Sequence, residues 1–567
     1  MIVLNTSIFL SYYLLFLLSI LGYGLLFCNF LKVDFKKTNL GSVGLLGFCF
    51  VSFLSYLTNL FVPHDYIHNS IVHIVGIFSL IFFFLKSKLY FKKNFYKLFL
   101  ITFFLIIGLF LSKNNEDFPY YHLSYAINLV ETNVTIGFGN FNSAYRTSSS
   151  LFYFNSLLYM PYIKYYLFHA SGIYILTFAN LILLEKFFFN KVISNNFLIL
   201  LSALIFCFIN LVFNRLAEYG TDRAGQIIVM IIFLYLLSIL NSKKLEINNS
   251  KIILVLLVYV VTLKAYFIVY LSLTIFIFYN AFKFQKFKFF INNISFFNTL
   301  FLLFILFIFI NFLNSGCLFY PLKFTCFENL IWTPTVDSIV SHSKWFELWS
   351  KAGATPDFRV SNPDNYIQFL NWVPNWFEKY FLFKVTDTLL SIFSIFIVFL
   401  IFFIIKKKKS LKIKKKIIFK SLYCLIVILF FIWFFKHPDL RYGGYELVVL
   451  LLYIPGSIYL SRFIFKKNHL NRIYLTIFIL VFTIYNFKNI TRIYSELNRT
   501  DRYQYNNFPF FYVENVSYEK VMINNEVVIY EPIKNNCWAT PAPCVARGIK
   551  VKKFMFFNIF YSKANKN

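Results

Sequence analysis

Residues 98–122 read LFLITFFLIIGLFLSKNNEDFPYYH. The run 98–112 carries no charge and approaches the ~17–25 apolar residues that span a bilayer. Glu116 and Asp117 follow almost at once, so the stretch predicts a membrane helix that ends where two carboxylates meet water. The same pattern recurs along the chain, with candidate spans at 8–30, 41–62, 70–85, 98–112, 165–184, 197–213, 226–240, 296–313, 388–405, 417–435, 445–463 and 472–487.

Composition agrees. The 567 residues are 59% hydrophobic and 14% charged, beyond the ~45–50% apolar share of soluble domains, which excludes a soluble globular chain. Eighty Phe and 40 Tyr against 18 Gly and 14 Pro exclude collagen-like and disordered classes. The net charge of +31 would suggest nucleic acid in a soluble protein. Here roughly half of the basic residues sit in short connections, 32–37, 86–97, 186–191, 243–251, 283–288, 406–416 and 466–472, which the positive-inside rule places in the cytoplasm without any nucleic-acid partner.

Two consecutive cytoplasmic loops must be separated by an even number of crossings. That condition fails once, at 252–279, which at ~1.5 Å per residue is long enough for one span and too short for two. A broken pair of half-helices turning near Lys264 restores it. Residues 151–162 read as a helix lying in the interface or dipping into it. Both termini are then external, with polar regions 113–150, 214–225, 314–387, 436–444 and 488–567 on one face, periplasmic in a Gram-negative cell. The predicted fold class is an all-α polytopic membrane protein with about 12 to 14 transmembrane helices, external loops and a small external C-terminal tail. Residues 1–97 are expected as accessory amino-terminal helices, 98–489 as the core and 490–567 as the tail. The amino terminus lacks the basic region and cleavage site of a signal peptide and is read as retained.

Cys28, Cys49, Cys207 and Cys424 fall in apolar spans, where a lone thiol packs as a small hydrophobe. Cys317 with Cys326, and Cys537 with Cys544 in CWATPAPC, fall in external regions and predict two local disulfides, because an oxidising compartment preserves them. None has zinc-ligand spacing. There is no GxxxxGK[ST], no GxGxxG after a strand and no HExxH.

Four short segments carry charge where it is costly or placed to act. In NNEDFPYYHL, Glu116 or Asp117 at the end of a helix can take a proton from an incoming hydroxyl, while Tyr120, Tyr121 and His122 offer aromatic and hydrogen-bonding surface for a sugar or phosphate. The bland reading is a solvated loop. In NRLAEYGTDRAGQ, Glu218, Asp222 and Arg223 stand between two spans, to bind a divalent cation, orient an acceptor, or simply form a surface ion pair between Asp222 and Arg223. Lys264 interrupts VLLVYVVTLKAYFIVYLSLTIF and needs a polar cavity, a lipid-linked phosphate, or a path for snorkelling. In KHPDLRYGGYE, Lys436, His437, Asp439 and Arg441 crowd between two apolar helices, and the planar fork of Arg441 suits a phosphate. Lys436 and His437 are read more plainly as helix-end anchors. Trp332, Trp345, Trp349, Trp372 and Trp376 are five of the seven Trp and predict amphipathic helices lying on the membrane.

These pieces together resemble the C-type glycosyltransferases (GT-C), the polytopic enzymes related to protein O-mannosyltransferases, oligosaccharyltransferases and lipid A aminoarabinose transferases. EDFPYYHL, EYGTD, SGCLFYP, HPDLRYGGY and CWATPAPC look more closely like an uncharacterised family of bacterial membrane proteins, over residues 100–550. Three spans precede the one leading to the acidic loop, where many GT-C cores begin with that span. The resemblance implies a catalytic carboxylate at Asp117 or Glu116, with Asp117 favoured, and a lipid-phosphate site at Lys264, Arg441 and His437. It places acceptor or sugar contacts at Tyr120, Tyr121, His122, Asp222 and Arg223.

The implied activity is inverting transfer of a sugar from a polyprenyl-phosphate-linked donor to a glycan, lipid or protein acceptor at the periplasmic face of the inner membrane. No cofactor is required outright, and a divalent cation, Mg²⁺ or Mn²⁺, is the one that this reading admits. A polysaccharide polymerase or ligase, or a transporter of lipid-linked glycans, is the alternative. Only the transferase needs a carboxylate base in the acidic loop.

Overall fold

With no water in hydrocarbon, backbone N–H and C=O groups must bond inside their own segment, and the apolar runs of this chain therefore form helices. The computed structural model describes residues 1–112, 117–189, 196–216, 220–285, 287–355, 357–404, 417–463, 467–498, 504–514, 516–523, 527–533, 537–545, 548–554 and 557–562. Among them ten helices are long and apolar enough to cross a membrane, and three more are apolar but shorter. The molecule is a multi-pass membrane protein.

The chain opens with α1 (Ile2–Phe30), α2 (Leu40–Asn59), α3 (Tyr66–Lys86) and α4 (Lys88–Leu105). The first large loop holds α5 (Leu123–Glu131) and α6 (Ser150–Ser156). Next come α7 (Ala170–Leu184), α8 (Asn196–Leu211), α9 (Gly220–Asn241) and α10 (Ile247–Leu263), then α11 (Thr274–Gln285), α12 (Lys288–Asn292) and α13 (Ile294–Ser315). A second large loop carries α14 (Val336–Ser350), the two-residue strands β1 (Ala354–Thr355) and β2 (Phe358–Arg359), α15 (Pro363–Tyr366) and α16 (Val373–Trp376). The last helices are α17 (Thr386–Ile404), α18 (Ile417–Lys436), α19 (Gly444–Leu460) and α20 (Lys467–Leu497).

Glycines let the first helices touch backbone to backbone. A Cβ on Gly47 would lie 2.0 Å from the Ile20 carbonyl oxygen, and one on Gly22 would lie 1.8 Å from that of Gly76. Hydroxyl pairs tie the same helices to the rest of the bundle, Ser42 with Tyr235 at 2.5 Å and Ser52 with Tyr259 at 3.1 Å. The helices of residues 1–97 are thus packed into one body with α9 and α10.

The chain breaks at Lys264. Its extended backbone (φ −157°, ψ 131°) ends α10, and a 3₁₀ helix, Ala265–Leu273, leads into α11. Lys264 sits beside Asp222 at the start of α9, whereas Asn280 on α11 donates to the Ile239 carbonyl near its end, so the chain has doubled back along α9. Ser149 Oγ donates to the Leu263 carbonyl at 2.9 Å, satisfying an acceptor that the break sets free. The expectation of two half-helices is corrected in length. The first run takes in 247–251 and the second continues to Gln285, giving 17 and 21 residues, and the 3₁₀ stretch adds reach at ~2.0 Å per residue.

Segment 151–162 dips into the protein and returns to its surface at Pro161 and Tyr162. All seven residues of α6 are buried, with Phe154 stacked on Phe48 at 3.9 Å. The Trp-rich loop also departs from expectation. Trp372 and Trp376 are buried and the Trp332 indole N–H donates to the Phe312 carbonyl, so these rings fasten the second loop to the bundle. Both expected disulfides are present, Cys317–Cys326 and Cys537–Cys544; Cys28, Cys49, Cys207 and Cys424 are free thiols.

The tail folds as three antiparallel hairpins, β3 (Tyr505–Asn507) with β4 (Phe510–Phe511), β5 (Tyr518–Ile523) with β6 (Val527–Pro532), and β7 (Ile549–Phe554) with β8 (Phe557–Ser562). Strand β8 and the Cys537–Cys544 loop dock on the first large loop, where Phe560 N–H donates to the Ile136 carbonyl and Ala539 N–H to that of Pro119, whereas Phe510 of β4 packs on Phe9 and Tyr166.

Gly47→Ala adds one methyl into a gap that backbone atoms already fill. It is expected to lower the thermal stability of the detergent-solubilised protein by several degrees, in line with an overpacking cost of ~1–3 kcal/mol, read by loss of monodisperse protein on heating.

Candidate functional site

Arg441 is the hub. It stands in the 3₁₀ turn Leu440–Tyr442 between α18 and α19. Its Nε donates to Asp222 Oδ2 at 3.1 Å and its Nη2 reaches Asp117 Oδ2 at 3.4 Å. Asp222 gives its other oxygen to the Lys264 ammonium, which also lies 4.2 Å from the centre of the Tyr442 ring. Two carboxylates and two cations from four distant segments thus form one chain, Asp117–Arg441–Asp222–Lys264.

Each member is placed by local chemistry. Asp222 lies in the first turn of α9, where the helix dipole favours an anion. Asp117 leads into a π-helical turn, Phe118–His122, with Pro119 inside it. Both flanks of this acidic loop are fastened from the carboxyl-terminal part of the chain. Glu496 accepts from Ser112 N–H and Oγ at 2.8 and 3.0 Å, and the Cys537–Cys544 loop donates Ala539 N–H to the Pro119 carbonyl.

The turn that bears Arg441 is held most tightly. Trp376 Nε1 donates to the Pro438 carbonyl, Trp433 Nε1 to that of Asp439, and Gln226 Nε2 to those of Leu440 and Arg441, at 2.8–3.1 Å. The Asp439 carboxylate accepts from Tyr380 Oη and from Arg441 N–H. Gly443 closes the turn at φ +97°, where a Cβ would come within 2.8 Å of the Tyr266 ring.

A cavity of about 380 Å³ opens against this chain. Asp222, Lys264, Lys436 and Arg441 are charged residues of its lining, His437 adds an imidazole, and Ile268, Val269, Phe319, Leu322, Phe346 and Ile432 are apolar. Thr147, Ser148 and Ser149 add hydroxyl-bearing residues. His437 Nδ1 is 3.3 Å from Ser350 Oγ, and burial pushes its imidazole down to about 4, so it is neutral at pH 7. Burial does the same to His122, although Asp117 and Asp222 pull the other way.

Most residues singled out in the sequence converge here. Asp222, Lys264, His437, Arg441 and Tyr121 line the cavity, and Asp117 is one contact back from its wall, on Arg441. His122 packs on Tyr121 and Phe152 behind them. Two do not join. Tyr120 turns its hydroxyl to Asn142, and Arg223 lies over the Phe213 and Tyr445 rings while donating to the Val212 carbonyl. The expected Asp222–Arg223 pair is replaced by the pairing of Asp222 with Lys264 and Arg441. Glu116 and Glu218 lie outside the described residues.

Arg146, Tyr320 and His342 went unread in the sequence. Tyr320 lines the cavity, its hydroxyl 2.7 Å from His342 Nδ1 and 3.3 Å from Arg146 Nη1. The TSSS run at 147–150 was the one available signal for the hydroxyl side of the cavity. A divalent cation does not fit the donor set. Asp222 has committed both oxygens to cationic side chains, and among the described residues no group of three or more His, Cys, Asp or Glu could hold a metal ion.

Residues 6–449 match the model of a family described as a domain of unknown function, DUF8201. The chain belongs to that family. No curated protein and no solved structure matches it. The DUF8201 match takes in Asp117, Asp222, Lys264 and Arg441, while the hairpins and the Cys537–Cys544 loop lie beyond it.

Asp222→Asn strands Lys264 and Arg441 as half-buried cations, and a loss of ~3–5 kcal/mol is expected for breaking such a cluster. Asp222→Asn with Lys264→Met removes one stranded charge and is expected to recover part of that loss. Equal melting temperatures for the single and double variants would show that Lys264 does not depend on Asp222.

Proposed function

We propose that the protein is a GT-C-type membrane glycosyltransferase that moves a sugar from a polyprenyl-phosphate-linked donor to a cell-envelope acceptor. The observation that carries this reading is the lining of the cavity, which combines the cations Lys264, Arg441 and Lys436 with the apolar side chains of Ile268, Val269, Phe319, Leu322, Phe346 and Ile432. A phosphate with a long hydrocarbon tail matches both. Among the described residues that line it, three cations stand with one carboxylate, Asp222, while Asp117 and Asp439 meet Arg441 from behind the lining, so the cations are what the cavity offers an anionic group.

In this mechanism the acceptor hydroxyl oxygen attacks the anomeric carbon as the bond from that carbon to the phosphate oxygen breaks. The electron pair leaves with the lipid phosphate, which Arg441, Lys264 and Lys436 stabilise. The hydroxyl proton goes to Asp117. Asp222, held between Lys264 and Arg441, keeps both cations in place. A single displacement inverts the anomeric centre. Tyr121, in the lining, would offer its ring to the sugar, whereas the Thr147 and Ser148 hydroxyls already donate to the Ala144 carbonyl and to Asn311.

The same reading sets the topology. The bundle crosses the inner membrane 12 to 14 times by the spans read from the sequence, with the cavity on the periplasmic side, because the basic connections alternate with the loops that build it. In intact cells a cysteine at Lys37 is expected to resist an impermeant thiol reagent and one at Asp337 to react. The reverse pattern overturns the orientation.

Asp117→Asn keeps the side-chain shape but cannot take the proton, so incorporation of sugar from a polyprenyl-phosphate donor into membrane glycans is expected to fall by ~10²–10⁴-fold at equal protein level. Transfer at the unmodified rate rules out the base and favours a transporter of lipid-linked glycans, which would use Lys264 and Arg441 for the head-group alone.

A further inference from the structure

Helix α14 is shared by two cavities. Ser343 and Phe346 face the one described above. Asp337, Val340, Ser341, Lys344, Trp345 and Leu348 recur at intervals of one, three and four along the opposite face and line a second, open cleft of about 550 Å³. The chain leading into α14 divides the same way, with Tyr320, Pro321 and Leu322 on the first cavity and Lys323 on the second. The two spaces are separated by the thickness of one helix and one strip of backbone.

The far side of the cleft is built by Arg359 in β2 and by Pro363 and Asp364 of α15. Lys344 and Asp364 neutralise each other across it at 2.7 Å. Arg359 lies over the Trp345 indole, 5.5 Å from the ring centre, so the ring supports the guanidinium from one side and leaves its in-plane N–H edge for a ligand. No ion pair among the described residues engages Arg359 or Lys323, and both are exposed. With Asp337 as the remaining acid, the cleft keeps an excess of positive charge. Val340, Leu348 and the indole supply apolar surface beside it. Its volume lies within the ~300–1,000 Å³ of small-molecule sites.

We propose that this cleft binds an acidic saccharide chain, with carboxylate or phosphate groups on Arg359 and Lys323 and sugar faces against Trp345 and Val340. A chain seated there and continuing over the 320–323 strip would bring its end to the charged cavity. Naming that chain the acceptor rests on the transferase reading; the binding does not.

The test uses the full chain in detergent, titrated by calorimetry with hexagalacturonate, with a glycerol-phosphate oligomer and with neutral maltohexaose. At least one acidic probe is expected to bind about tenfold or more tighter than maltohexaose and to weaken steeply as salt shortens the screening length. Whichever acidic probe binds identifies carboxylate or phosphodiester as the source of charge. Arg359→Ala and Lys323→Ala, both exposed positions, are each expected to weaken it about tenfold, a loss of one charge-assisted bond. Asp117→Asn is expected to bind as the unmodified protein does, which separates this cleft from the reaction site. Absence of acidic binding, equal binding of maltohexaose, or indifference to both substitutions overturns the proposal.

Discussion

Between Lys251 and Lys283 the chain carries a single charged residue, Lys264, and an ammonium in hydrocarbon costs ~2.5–3.5 kcal/mol on insertion scales. That constraint organises the molecule. A continuous helix would leave the charge among apolar neighbours, so the helix stops there and the chain doubles back. The ammonium then needs an acid, which α9 supplies in its first turn as Asp222. One lysine cannot use both oxygens of Asp222, and the second draws in Arg441, whose remaining nitrogen reaches Asp117. The charge chain grows outward from the residue that is hardest to bury, and its last two members, Arg441 and Asp117, are its most exposed.

Such a chain is useful only if its arginine is fixed, since a flexible guanidinium would collapse onto whichever acid was closer. The turn 438–441 prevents this by having every backbone carbonyl claimed by a buried side chain, two of them Trp indoles. An indole delivers one N–H from a rigid ring and so costs little entropy to hold in register. The second large loop is therefore coupled to the charge chain through Trp376, and the tail through Ala539 and Pro119. Donors aimed in advance at a place where charge develops need no reorganisation when it does.

Legibility followed cost. Charges in apolar surroundings announce themselves, so Asp117, Asp222, Lys264 and Arg441 stood out before any geometry, as did the break at Lys264 and the two cysteine pairs. Asp222 and Arg223 show the resolution of that method. Adjacent residues point ~100° apart on a helix, so only one of them faces the cavity, and the sequence does not say which. Trp372 and Trp376 were misread because an indole at a membrane surface and an indole packed under a loop have the same composition and the same flanking residues. Arg146, Tyr320 and His342 come from the two different large loops and meet only through the mutual register of those loops, which no local pattern encodes. The hairpins of the tail were hidden for a plainer reason: no residue of β5 or β7 is buried, so neither strand needs the apolar face that would write an alternating pattern.

The bridge also decides how the site would respond to an anion. Arg441 has two acid contacts of unequal strength. Asp222 is 12% exposed, meets Nε at 3.1 Å and is locked from its other side by Lys264, whereas Asp117 is 30% exposed and meets Nη2 at 3.4 Å. A phosphate entering beside Lys264 and Lys436 competes for the guanidinium, and the longer, wetter contact yields first, because water already screens it. Arg441 would turn toward the phosphate while pivoting on Asp222, and its contact with Asp117 would open as the donor is seated. In the transferase reading, the event that fills the leaving-group site thereby also loosens the Arg441 contact on the residue that must accept the proton.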